Sequence, residues 1–201
     1  MKRTIFALLA VAALVLLGAG QANATSITYT VSDTSVTGTL NGTSFTAPVT
    51  VTFVGDTSNV LSSPSSCAPS VAPCNQVGTA TVTIGGLGTY TFTDSMEAFD
   101  NQSYGSTGAA GISDLTSGPY SVLDTLDNAF ETYDLTTSIG PITDTSFINP
   151  ALDANTTGGV LNFTSDSGVS TFTATTPEPC SLFLIGAGLS GLVMVRRRRL
   201  A

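Results

Sequence analysis

Two groups of carboxylates and amides are the side chains of this sequence best suited to chemistry. Asp94, Glu97, Asp100 and Asn101 fall within eight residues, and Asp124, Asp127, Asn128 and Glu131 within another eight. A carboxylate pair can hydrolyse a glycoside, one member acting as acid and the other as base or nucleophile. A set of carboxylates can also hold Ca²⁺, which takes about six to eight oxygens in irregular geometry. Asp94, Glu97 and Asp100 therefore form a candidate calcium site, although neither group has the D-x-[DN]-x-[DN]-G spacing of a calcium-loop motif.

Other chemistry is hard to build. Between Arg3 and Arg196 there is no Lys, Arg or His, while all 14 Asp and Glu lie in that stretch. A Ser-His-Asp triad, a Schiff base and a phosphoryl clamp all need residues that are missing there. Nucleic acid and anionic lipid are excluded as partners of this stretch, because phosphate contacts need Lys or Arg. Divalent cations, cationic polymers and neutral polysaccharides stay open. Tyr104, Tyr120 and Tyr133 offer rings for sugars, but the chain has no Trp. Acidic side chains on a solvated face are the plainer reading, so the expectation is a non-catalytic protein with no cofactor beyond that calcium. A carboxylate-pair carbohydrate enzyme is the alternative.

All six basic residues sit at the two ends: Lys2 and Arg3, then Arg196, Arg197, Arg198 and Arg199. At the N-terminus, Lys2 and Arg3 precede an apolar run from Ile5 to Leu17, and Ala22-Asn23-Ala24 supplies small residues for cleavage before Thr25. That is the pattern of a secretory signal peptide over residues 1–24. At the C-terminus, Pro177-Glu178-Pro179 is followed by the uncharged segment 181–195 and then the four arginines. As a transmembrane helix this segment covers only ~22 Å at ~1.5 Å per residue, against a hydrocarbon core of ~30 Å. The arginine block belongs on the cytoplasmic side, which puts everything before Pro177 outside. Gly186-Ala-Gly188-Leu-Ser-Gly191 matches G-x-G-x-x-G. It lacks the strand, the βαβ unit and the downstream acid that a dinucleotide site requires.

Pro177, Glu178 and Pro179, the short Gly-rich apolar segment and Arg196 to Arg199 together resemble the PEP-CTERM sorting signal of bacterial surface proteins. The resemblance covers the tail alone. It implies recognition by an exosortase, a membrane protease or transpeptidase that removes the helix and arginines. It also implies a Gram-negative-type envelope and an exopolysaccharide or biofilm setting. The tail, residues 176–201, would hold the protein in the membrane only until processing.

For an exported chain, Cys67 and Cys74, bracketing a Pro- and Ser-rich loop, predict a local disulfide. A redox or metal pair would want C-x-x-C spacing or a His. Cys180 stands apart at the edge of the apolar segment, as a tolerated small residue, an acylation site or part of the sorting signal.

Residues 25–175 must then form the exported domain. Apolar residues recur there with a period of two, as in Ile27-Thr-Tyr29-Thr-Val31 and Val49-Thr-Val51-Thr-Phe53. This alternation predicts half-buried strands, with Thr as the outward partner. Leu123 to Phe130 is the best helical candidate, and the Gly- and Ser-rich stretch from Ser95 to Pro119 predicts long loops. Asn41-Gly42, Gly85 to Gly88 and Ser165 to Gly168 supply turn chemistry for antiparallel connections. The expected fold is an all-β antiparallel sandwich or jelly roll of ~8 to 11 strands, flanked by the signal-peptide helix and a single C-terminal transmembrane helix. Thr50-Val-Thr52, Thr81-Val-Thr83 and Thr91-Phe-Thr93 raise ice or surface binding as a further alternative. A flat array needs regular stacking, and the chain has no solenoid period.

Overall fold

The computed structural model describes residues 25–67, 72–105, 107–116 and 120–177. The stretch Thr25–Thr176 lies in one compact unit. Its described residues are all-β and antiparallel, with 13 strands. In chain order they are β1 (Ser26–Leu40), β2 (Thr43–Asp56), β3 (Val60–Leu61), β4 (Cys74–Asn75), β5 (Gly78–Ile84) and β6 (Gly88–Thr91). Then come β7 (Met96–Asn101), β8 (Gly108–Asp114), β9 (Tyr120–Asp127), β10 (Ile139–Phe147), β11 (Asp153–Thr156), β12 (Gly159–Ser165) and β13 (Val169–Thr175). The described helices are single 3₁₀ turns at Thr57–Asn59 and Asn128–Thr132. Among the described residues no helix is long and apolar enough to cross a membrane. The signal segment 1–24 and the tail segment 181–195 lie outside the described residues.

Hydrogen bonding runs continuously in the order β3-β4-β7-β8-β9-β10-β13-β1-β2-β5-β6. Strand β10 is where the sheet turns over: Ile139 to Thr145 pair with β13, and Ser146 and Phe147 pair with β9. The two halves meet face to face, since β1 touches β8 and β9, and β2 touches β7 and β8, without pairing to them. The result is sandwich-like. Inward residues Tyr29, Val31, Val51, Phe53 and Val82 from one half meet Ala98, Ala110, Ile112 and Leu123 from the other. Phe172 packs edge-on against Phe130 and Tyr133, with centroids 5.3 and 6.1 Å apart, at one end of this core.

The β1–β2 hairpin turns at Asn41-Gly42, both with positive φ (50° and 77°), as a two-residue type I′ turn requires. Gly85 to Gly88 likewise close the β5–β6 hairpin. Ser165 to Gly168 do something else. Strands β12 and β13 do not pair with each other; both lie antiparallel along β1, β12 opposite Thr37–Leu40 and β13 opposite Thr28–Asp33. Buried Asp33, at the bulge of β1, holds this break by accepting from the Ser35 N–H at 2.7 Å and the Ser167 N–H at 3.2 Å. At fifteen residues, β1 is long enough for two strands in series along one edge.

Two other expectations are corrected. Leu123 to Phe130 is not helical: Leu123 to Asp127 belong to β9, and the 3₁₀ turn begins at Asn128. Much of Ser95 to Pro119 is strand rather than loop. Every residue of β8 and the first five of β7 are buried. Small residues covered on both faces show no alternation, so periodicity could not reveal them.

Candidate functional site

The carboxylates singled out from sequence are scattered by the fold. Asp94 lies before β7 and anchors β11: it accepts from the Asn155 N–H at 2.6 Å and from the Asn155 amide at 3.1 Å. Glu97 points to the face of β7 opposite that of Asp100, because successive strand side chains alternate. Glu97 is fully buried, accepting from Ser113 Oγ at 3.1 Å and Gln76 Nε2 at 3.0 Å. Burial pushes its carboxyl up to about 7, against those two hydrogen bonds. Asp100 is also fully buried, and neither of its oxygens has a hydrogen-bond partner. Burial, with the charge of Asp134 adding to it, pushes Asp100 up to about 9.

In the second group, Asp124 is buried on β9 and pushed up to about 7 by that burial. Asp127 caps the 3₁₀ turn through the Ala129 N–H at 2.7 Å, and Glu131 is exposed. Among the described residues no three His, Cys, Asp or Glu gather as a metal site. A concavity of about 300 Å³ is lined by Ser62, Pro73, Asn101, Gln102, Ser103 and a single carboxylate, Asp134, among others.

Acidic side chains belong by default on a solvated face. The fold instead buries Asp33, Glu97, Asp100, Asp114 and Asp124. The only available signal was their neighbourhood of small and apolar residues.

Cys67 and Cys74 form a disulfide, with S–S 2.12 Å and Cα atoms 5.9 Å apart. It ties Cys67, where the Pro- and Ser-rich loop begins, to Cys74 in β4, which pairs with β7. Of the sorting motif, Pro177 is described and exposed, whereas Glu178, Pro179, Cys180 and Arg196 to Arg199 lie outside the described residues.

Alternation along the strands and register between them place the Thr-x-Thr segments side by side. One row across the sheet reads Thr143 (β10), Thr171 (β13), Ser32 (β1), Thr50 (β2), Thr83 (β5) and Thr89 (β6). The next row, two residues along, reads Thr173, Thr30, Thr52, Thr81 and Thr91. A third carries Thr175, Thr28, Val54 and Thr79. These side chains are half-buried or exposed, on the face away from the core, and no row contains a charged residue. At the rims, hydroxyls pair with each other: Thr83 with Thr89 at 2.8 Å and Thr143 with Thr171 at 2.7 Å. In the middle, the hydroxyls of Thr30, Thr50, Thr52 and Thr81 make no hydrogen bond within the described protein. Thr93, the last residue of the third Thr-x-Thr segment, falls beyond β6 and outside the rows.

No protein-family model, curated protein or solved structure matches this chain.

Proposed function

We propose that the protein is exported across the inner membrane of a bacterial envelope, processed at its tail by an exosortase, and left at the cell surface or in the extracellular matrix. Its β domain acts there without catalysis, beside exopolysaccharide. The observation that carries this reading is the segregation of charge: every Lys and Arg lies in residues 1–3 or 196–199, and the domain between has none. Basic residues flanking short apolar segments are what export and membrane orientation require. A tail segment of ~22 Å, short of the ~30 Å core, suits transient anchoring and removal better than permanent residence.

The non-catalytic part rests on the same composition and on the burial of Glu97, Asp100 and Asp124, which do not line the concavity beside Asn101 and Asp134. Intact mass of the protein recovered from the surface of producing cells tests the reading. The expected mass lacks residues 1–24 and the apolar segment with its arginines; a mass that retains the whole tail overturns processing. Trypsin should then find no internal site in the released domain.

A further inference from the structure

We propose that the outer face formed by β10, β13, β1, β2, β5 and β6 is the surface on which a neutral polysaccharide chain binds, with the central hydroxyls of Thr30, Thr50, Thr52 and Thr81 as its contacts. This deepens the reading of a domain that works beside polysaccharide and names the face responsible.

The hydroxyls are arranged in two dimensions. Neighbouring strands are ~4.8 Å apart, so six strands span roughly 24 Å, and successive rows along a strand lie ~6.8 Å apart. Each Thr hydroxyl can donate one hydrogen bond and accept two, so it can meet a sugar hydroxyl in either sense. The central four are uncommitted within the described protein, unlike the rim pairs. Thr methyl groups among them, and Val54 in the next row, which is 43 % exposed, supply apolar surface for the C–H faces of sugar rings.

Charge selects the partner. The rows carry no ionisable side chain, whereas the rest of the domain carries carboxylates and no cation. An anionic polymer is repelled by the whole domain, and a cationic one is drawn to the carboxylates and away from this face. An uncharged polyhydroxyl chain meets neither effect. Shape separates such a chain from the other hydroxyl-ordered partner, an ice surface. Neighbouring strands rotate by roughly 20–25°, so a rigid planar lattice can match only a few strands at once, while a flexible chain can follow the twist. Thr also suits any outward strand position through β-propensity alone, and the test below separates that case.

Co-sedimentation of the purified full-length protein with insoluble neutral glucans (cellulose and curdlan), and with alginate gel as the anionic comparison, tests the proposal at low and high salt. Binding to a neutral glucan, unchanged by salt, is expected. The triple variant Thr30→Val, Thr52→Val, Thr81→Val keeps the side-chain shape and strand propensity. It should lose binding by about a hundredfold, the sum of three modest hydrogen bonds. Thr34→Val, in the exposed bulge outside the rows, should bind like the parent, and unchanged melting shows that the variants fold. Undiminished glucan binding by the triple variant overturns this face while leaving the polysaccharide reading intact. Absence of glucan binding by the parent overturns both, without touching the export reading, which the intact mass decides. Salt-sensitive binding to alginate, or thermal hysteresis without glucan binding, also overturns the proposal.

Discussion

Gly111 on β8 stands directly opposite Asp124 on β9, and a Cβ at Gly111 would collide with the Asp124 Cβ and approach the Leu123 carbonyl oxygen to 2.6 Å. The close approach of these two strands therefore depends on the missing side chain. Backbone cannot yield as the tip of a flexible side chain can. Gly111→Ala should destabilise the domain by about 1–3 kcal/mol, the usual cost of overpacking. Chemical denaturation would measure it, and a loss within experimental error would show that the β8–β9 pair can separate freely.

Buried acids without cations make stability depend on pH in an unusual direction. Folded Glu97 and Asp124 titrate near 7 and Asp100 near 9. Unfolded carboxyls titrate at ~3.9–4.3. Below about pH 4 both states hold these protons, and the contribution is at its fullest. As pH rises, the unfolded chain releases protons that the folded chain keeps, so stability falls until the folded groups have ionised, above about pH 9. Calorimetry from pH 4 to 9 should show Tm declining, and Asp100→Asn should flatten the alkaline part of the decline. Stability that rises over this range would contradict the burial of these groups.

The Tyr29 hydroxyl donates to the Leu135 carbonyl at 2.6 Å, and Leu135 holds a positive φ of 60°. Burial pushes the Tyr29 phenol up to about 12. Tyr29→Phe keeps the ring but strands a buried carbonyl, at a cost of about 1–3 kcal/mol. Equilibrium unfolding should detect it, with the spectroscopic signature of the native fold unchanged.

The disulfide closes a short loop, with a sequence separation of seven between Cys67 and Cys74. In the chain-entropy account such a loop contributes about 2.5 kcal/mol. Replacing both cysteines by alanine should lower stability by about that much, and a reducing agent should have no effect on the double variant. A reducing agent that leaves the parent protein equally stable would show that the loop is already constrained by its prolines.

Asp94, Glu97 and Asp100 do not converge on one point. Asp94 holds Asn155, Glu97 holds Ser113 and Gln76, and Asp100 is buried with neither oxygen hydrogen-bonded. Calcium should raise Tm no more than an equal ionic strength of sodium chloride, through screening alone, and EDTA should leave it unchanged. A specific calcium-dependent rise in Tm would reveal a site that the described residues do not assemble.

Alternation made β1, β2, β5 and β13 legible, because each buries one face and leaves the other half-buried or exposed. Strands β7 and β8 escaped notice for the opposite reason: both faces are covered, and residues such as Ala109, Ala110 and Gly111 carry no periodic contrast. Glu97, Asp100 and Asp124 read as surface acids because a carboxylate's usual place is in water. Ser165 to Gly168 looked like a hairpin turn, yet turn chemistry cannot say whether the chain folds back or continues. The free edge of a long β1 decided that.

The all-β class, the segregation of charge to the two ends and the closeness of Cys67 and Cys74 are properties of local composition and spacing, and the sequence alone determined them. Which Thr stands beside which, which carboxylates are sealed from water, and that Gly111 faces Asp124 were decided only by tertiary structure. Period-two alternation says which face a residue takes on its own strand. Register and depth depend on pairing between segments far apart in the chain, which no local pattern encodes.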